Sequence, residues 1–172
     1  MWDAVLEAGK KHNLMVIAPA HHRRIQAGIL SWGQDLDHEH NPFQCNLGYQ
    51  VSLSGKGEWE KKGDYIGKQA LEKMKADLKD GHKPYKLQLV GFEIGGKPID
   101  EYAPDFWLVS PGDGGDPCGF ITSPWYHPEK GKNIAMGYIP FDGTLNSNGF
   151  PKWELGKKYK VHLPDIYADE PG

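Results

Sequence analysis

Cysteine is scarce in this 172-residue chain, with Cys45 and Cys118 the only two. They lie far apart and outside any C-x-x-C spacing, so neither a disulfide framework nor a structural zinc site is expected, and both read as reduced structural thiols. No apolar run approaches the roughly 18 residues that would span a bilayer. Asp3, Glu7 and Lys10 stand where a secretory signal needs an apolar stretch, which predicts a soluble, cytoplasmic protein. Strong charge of either sign is also missing. A formal net charge of -3 gives no broad attraction to nucleic acid or to an anionic membrane, so a small molecule or another protein is the expected partner. The chain has no G-x-S-x-G elbow, no phosphate-cradling loop ending in Lys-Ser/Thr and no dinucleotide fingerprint. Nucleophilic, nucleotide and nicotinamide chemistries therefore have no motif support.

Glycine and proline are abundant, at 22 and 13 residues, which excludes a helical bundle and predicts a loop-rich, β-rich chain. Leaving tyrosine out of the 38% hydrophobic class and adding the 22 glycines brings the apolar share to about 46%, within the usual ~45–50% of globular proteins, which excludes wholesale disorder. Trp2, Val5 and Leu6 share one helical face, and Gly9 is placed to close that helix through a left-handed cap. The solid run Leu14 to Ala18 reads as a buried strand closed by Pro19. A short helix is expected within 21–30, weakened by Gly28, and an exposed polar loop from Trp32 to Pro42. Leu47, Tyr49, Val51 and Leu53 alternate as a half-buried strand does.

A polar stretch, 54–64, separates these elements from a helix over 67–79, where Ile66, Ala70, Leu71, Met74 and Leu78 follow helical spacing up to Gly81. After His82 come short strands at 86–94, 106–110, 118–123, 133–139 and 157–163, with irregular loops at 111–117 and 140–152. The fold class expected is α+β: an α/β tail segment followed by a C-terminal antiparallel β-barrel or jelly-roll-like domain.

Three clusters invite a chemical reading. Asp35, Asp37, His38, Glu39 and His40 carry metal-ligand atoms, but neighbours on one polar loop seldom converge on an ion, so a solvated loop is the better reading. Asp113 and Asp116 lack the ligand spacing of a calcium loop. His21, His22, Arg23 and Arg24 could hold a carboxylate or phosphate, although residue types alone favour a soluble helix surface. Aromatics beside glycine or proline, at Trp32, Phe43, Trp125, Tyr126 and Tyr138, could stack on a flat heterocycle; anchoring of core and loops is the commoner use.

Read in order, WDAVLEAGKKHNL (2–14), RRIQAGILSWGQDLD (23–37), NPFQCNLGYQV (41–51), DYIGKQAL (64–71), LVGFEI (89–94), GFITSPWYHPEKGKNIAMGYI (119–139) and KYKVHLP (158–164) resemble the tetrahydrofolate-dependent aminomethyltransferase family, the T-protein of glycine cleavage and its relatives. The blocks span nearly the whole chain and correspond to the C-terminal half of a family member. The NPF at 41–43 is similar to the branch containing dimethylsulfoniopropionate demethylase.

The resemblance implies tetrahydrofolate as cofactor and a small amine or sulfonium as one-carbon donor. It also implies the tail of a folate-binding first domain in 1–57, linker and helix of a ferredoxin-like second domain in 58–82, and a β-barrel in 83–172. Gln26 takes the position of a family Glu that hydrogen-bonds the pterin ring. An amide offers one acceptor and one donor where a carboxylate offers two acceptors, so the pairing must differ. Arg23 and Arg24 match the basic residues before it, while Lys61, Lys62 and Tyr65 lie near the family's folate-flanking cation and aromatic. Ser123, Pro124, Lys132 and Asn133 match a barrel signature read as structural.

The family's catalytic Asp belongs to the N-terminal half, so no catalytic residue and no metal ligand is assigned here, and the isolated chain is expected not to turn over. Two rival readings are a non-catalytic binding or regulatory module and a subunit that completes its site with a separate N-terminal chain.

Overall fold

A computed structural model of the chain describes residues 1–18, 20–53 and 64–169. Three α-helices come first, α1 (Trp2–Gly9), α2 (His21–Gln26) and α3 (Lys68–Lys79). Five strands follow: β1 (Leu87–Ile94), β2 (Trp107–Pro111), β3 (Gly119–His127), β4 (Lys132–Pro140) and β5 (Tyr159–Val161). The strands form one antiparallel sheet in the order β1-β4-β3-β2-β5.

The sheet curls into a half-barrel. Its end strands are not hydrogen-bonded to each other, yet Phe92 of β1 meets Tyr159 of β5 edge to face, with centroids 6.3 Å apart. Val90, Ile94, Trp107, Val109, Ile121, Ala135 and Ile139 fill the concave side. The convex side is buried too, because Leu89, Ile134, Met136 and Tyr138 pack under Ile25 of α2. Burial on both faces explains why β4 reads as an almost unbroken apolar run instead of alternating. Among the described residues the architecture is α+β with a barrel-like C-terminal part, as the sequence leads one to expect.

The strand set agrees with the sequence reading except that β3 runs on through Pro124 to His127 and β5 covers only Tyr159–Val161 of the 157–163 expected. A bulge between Ile121 and Ser123 shifts the β3–β4 register. Consecutive strand residues ordinarily face opposite sides of a sheet, but an extra residue re-aims them. Here the hydroxyls of both Thr122 and Ser123 reach one carboxylate, that of Asp35. Asn133 of the barrel signature binds the loop before Ile99, accepting from the Ile99 amide at 3.0 Å and donating to the Lys97 carbonyl at 3.0 Å. Lys132 pairs with Glu93 across β1 and β4 at 2.8 Å.

The helix α3 places Leu71, Met74 and Leu78 along one stripe against Phe43, Tyr85 and Phe141. Its start falls after Gly67, and Ile66 stays exposed instead of joining the stripe.

Several local expectations are corrected. The helix α1 does not end in a left-handed Gly9. It tightens into a 3-10 turn over Lys10–His12, and Asn13 supplies the left-handed residue at φ 54°. The run Leu14 to Ala18 forms no strand and is exposed, Ile17 at 68%. An isolated apolar run becomes a strand only where another strand completes its backbone hydrogen bonds, and none of the described residues does so. Pro19 lies outside the described residues. Around 47–53 the alternation does not produce a strand: Asn46 turns the chain at φ 61°, a 3-10 turn follows at Gly48–Gln50, and Tyr49 is exposed. Residues 54–63, expected as a polar separator, also lie outside the described residues.

The helix α2 is the short helix expected within 21–30. It stops at Gln26 because Gly28 takes φ 67°, and the Gly28 and Ile29 amides turn back to the carbonyls of Ile25 and Arg24. Replacing Gly28 by Ala forces a Cβ into the left-handed region, and an unfolding titration should register a loss of about 1–2 kcal/mol. A change within error would show that this cap does not hold the helix end.

Candidate functional site

The short α2 is fastened to the sheet by one buried ion pair. Arg24 Nη1 donates to Asp35 Oδ2 at 2.8 Å, and the Asp35 side chain is fully buried. The other Asp35 oxygen accepts from Thr122 Oγ1 and Ser123 Oγ, both at 2.5 Å, while the Ser31 amide donates to Oδ2 at 2.8 Å. Arg24 Nη2 completes the network by donating to Gln34 Oε1 at 3.0 Å and Ser123 Oγ at 2.8 Å. A buried charge persists only when its hydrogen-bonding capacity is met, as it is here. Asp35 therefore leaves the solvated loop in which sequence reasoning placed it. Arg24, expected near a ligand, is occupied in holding α2, the turn at 31–36 and β3 together.

Tyr138 extends the network. Its hydroxyl donates to the Asp35 carbonyl at 2.7 Å, so the thiol of buried Cys45, 3.4 Å away, is left to donate to the Tyr138 oxygen. Burial pushes the Cys45 thiol up from its ordinary value, which keeps it protonated and inert.

Gln26 and His127 stand at the end of α2. Gln26 is exposed, whereas His127, in the last position of β3, is 1% exposed. Gln26 Oε1 and His127 Nε2 are 2.6 Å apart, and the Lys130 amide donates to His127 Nδ1 at 3.4 Å. His21 stacks on Trp125 with centroids 4.6 Å apart; burial first, and then the charge of Arg24, holds its imidazole below the ordinary value. His22 meets His127 edge-on at 5.6 Å.

Gln26 also lines a cavity of about 560 Å³ that opens between the two end strands. Phe92, Trp153 and Tyr159 supply aromatic wall, and Lys130, Lys157 and Lys158 supply cations. Its volume is in the range that holds a small organic molecule. The β1 edge reaches this cavity with Gly91 and Glu93. By contrast, the Leu89 amide donates to the Gln44 carbonyl at 3.0 Å, and Asn46 caps the Leu89 carbonyl at 2.8 Å.

The other expected site residues are scattered. Arg23 is exposed and makes no side-chain hydrogen bond among the described residues. The Tyr65 hydroxyl donates to the Ser52 carbonyl at 3.3 Å, and Tyr65 does not line the Gln26 cavity. Lys61 and Lys62 lie outside the described residues. The aromatics beside glycine and proline do not form one stacking wall: Phe43 and Tyr138 are core residues, and exposed Trp32 meets His38 edge-on. Among the described residues no three His, Cys, Asp or Glu side chains gather to hold a metal. No helix of those residues is long and apolar enough to cross a membrane. Sequence reasoning missed His127, which lies inside the block 119–139 but was given no role there, and the burial of Asp35, which it placed on a solvated loop.

No family model matches the chain. Among curated proteins it is 31% identical over 144 residues to an aminomethyltransferase of Symbiobacterium thermophilum, covering 81% of this chain and 33% of that protein. To an aminomethyltransferase of Halothermothrix orenii it is 28% identical, covering 83% of this chain and 35% of the relative. A dimethylsulfoniopropionate demethylase of Ruegeria pomeroyi is 29% identical over 166 residues, with 96% and 38% covered. The chain thus spans little more than a third of the length of these relatives. Among solved structures, glycine cleavage system aminomethyltransferase T from Bartonella henselae shares the fold, with a TM-score of 0.50 at 23% identity, over 68% of this chain and 28% of that one.

Proposed function

We propose that this chain, a member of the aminomethyltransferase family corresponding to its C-terminal portion, contributes part of a tetrahydrofolate site to a one-carbon transferase. The donor is a small amine or sulfonium compound, and the methyl or aminomethyl group passes to the folate chiefly through positioning. Residues 1–57, 58–82 and 83–172 are the parts of three family domains in this reading.

The observation that carries the reading is the placement of Gln26. It stands exposed at the end of α2, on the rim of a cavity with aromatic and cationic walls, at the end of a helix fastened by a buried ion pair. Arg23, Lys61 and Lys62 are the groups proposed to flank the ligand, with Tyr65 proposed to meet a part of it that extends beyond the Gln26 cavity. Arg24 acts behind them by fixing α2. A carboxylate in place of the Gln26 amide can accept from both the ring N–H and the amino group of the pterin. Calorimetric titration with tetrahydrofolate should therefore give binding about tenfold tighter for Gln26→Glu than for the native chain, the value of one charge-assisted hydrogen bond. Heat at the noise level for both proteins overturns the proposed folate site.

One observation favours the second reading, a subunit that completes its site with another chain. Trp2, Val5 and Leu14 to Ile17 form an exposed apolar stretch, with Trp2 at 61%. A separate chain bearing the family's N-terminal part should restore turnover on mixing if this reading holds.

A further inference from the structure

We propose that Asn148 is a site of spontaneous modification, losing its side-chain amide to become aspartate or isoaspartate, and that the conversion loosens the hairpin leading into Trp153 of the cavity wall.

The hairpin is built by its own turn. Leu145 and Pro151 form an antiparallel bridge, and inside it Asn146 and Phe150 close the short loop 147–149. The Asn146 amide donates to the Phe150 carbonyl at 2.8 Å, and the Gly149 amide donates to the Asn146 carbonyl at 2.9 Å. A loop of this kind needs a left-handed residue in last place, and Gly149 supplies it at φ 75° without strain. Asn146 Oδ1 secures the tip by accepting from the Asn148 amide at 2.9 Å and the Phe150 amide at 3.2 Å. Folding alone therefore accounts for an Asn-Gly pair here.

The same pair leaves a reactive peptide unit open to solvent. Asn148 is the only asparagine of the chain that precedes a glycine. Both residues are exposed, and a Cβ built on Gly149 would meet nothing within 4 Å. The Asn148 carboxamide has no hydrogen-bond partner among the described residues, and glycine puts no side chain between its own nitrogen and that carboxamide.

The reaction begins when the turn opens and the Gly149 N–H leaves the Asn146 carbonyl. The nitrogen gives its proton to solvent base and attacks Asn148 Cγ. A C–N bond forms in a cyclic succinimide, the Cγ–Nδ2 bond breaks, and the nitrogen leaves with a proton as ammonia. Water then opens the ring. Cleavage at Cγ yields aspartate, and cleavage at the main-chain carbonyl yields isoaspartate, whose backbone runs through the side-chain methylene. One water is consumed and one ammonia released, and the loop gains a negative charge at neutral pH.

Isoaspartate places an extra backbone atom between Asn146 and Phe150, so the bonds that close the loop lose their geometry. Phe150 rests against Gly48, with ring atoms 3.1 and 3.2 Å from the position of a Gly48 Cβ. Beyond it, the Lys152 amide donates to the Thr144 carbonyl at 2.9 Å, and Trp153 follows on the cavity wall. The modification thus slackens a segment that holds this wall.

The test incubates the full chain in mildly alkaline buffer and follows it by peptide mass spectrometry, with isoaspartate detected by enzymatic methylation. Asn148 should convert while the other asparagines stay intact, and Asn148→Gln should abolish the change. Asn146→Ala removes the acceptor that secures the tip and should hasten conversion about fivefold, the change in open population produced by losing one net hydrogen bond. Hydrogen exchange of the isoaspartate fraction should be faster at the Asn146 and Phe150 amides. Conversion at Asn148 no faster than at the other asparagines overturns the proposed site. An Asn146→Ala rate equal to the native one overturns the role of turn opening, and unchanged exchange after conversion overturns the loosening of the hairpin.

Discussion

Asp35→Ala is expected to destabilise the chain by about 3–5 kcal/mol, the cost of leaving one half of a buried, hydrogen-bonded ion pair without its partner. The Arg24 side chain is only 17% exposed, so water cannot take over the role of the lost carboxylate. Thr122, Ser123 and the Ser31 amide lose an acceptor in the same step. Against a total stability of ordinarily about 5–15 kcal/mol, the loss should leave a large unfolded fraction in modest urea. Urea unfolding of the native and variant chains measures it directly. A difference under about 1 kcal/mol would mean that the pair contributes no more than an exposed surface bridge, and that α2 is held by Ile25 and its apolar neighbours instead.

The second large effect is a contrast between two isoleucines. Ile121 is 1% exposed in the concave core, in contact with no solvent through which a cavity could relax. Ile121→Ala should cost about 2–5 kcal/mol, the sum of lost transfer free energy and the void left behind. Ile17→Ala, in the exposed run that resembles a core strand in sequence, should change stability by no more than about 0.5 kcal/mol in the chain on its own. Equal losses at the two positions would contradict the placement of the core inside the curled sheet. If a separate chain covers the 14–17 run, Ile17→Ala should instead weaken association with that chain, and sedimentation of the mixture would show it.

Much of the half-barrel was legible in the sequence. The segments that became β1, β2 and β4 are rich in β-branched and aromatic residues and are closed by glycine, proline and aspartate, and local chemistry of that kind does not depend on the rest of the fold. The helix α3 was legible for a similar reason, since Leu71, Met74 and Leu78 repeat at the helical period. The run at 14–18 failed as a strand because apolar character states that a segment should be covered and says nothing of what covers it. The alternation at 47–53 failed because the left-handed turn at Asn46 redirects the chain, and Val51 and Leu53 then pack near α3 without pairing in a sheet.

The site divides in the same way. Gln26 could be singled out from sequence because its neighbours form a block that resembles the aminomethyltransferases. Its partner could not be found there: His127 is 101 residues away along the chain, and only the packing of α2 on β3 brings the two together. Asp35 reads as one more exposed acid among polar neighbours until the β3 bulge turns two hydroxyls toward it and α2 supplies the guanidinium. By itself, the sequence determined the strand-forming segments, the helical stripe of α3 and the family block around Gln26, because backbone preference and side-chain period are properties of neighbouring residues. Tertiary structure alone decided which charges are buried and which side chain pairs with Gln26, because desolvation and hydrogen-bond pairing belong to groups that meet only after the chain has folded.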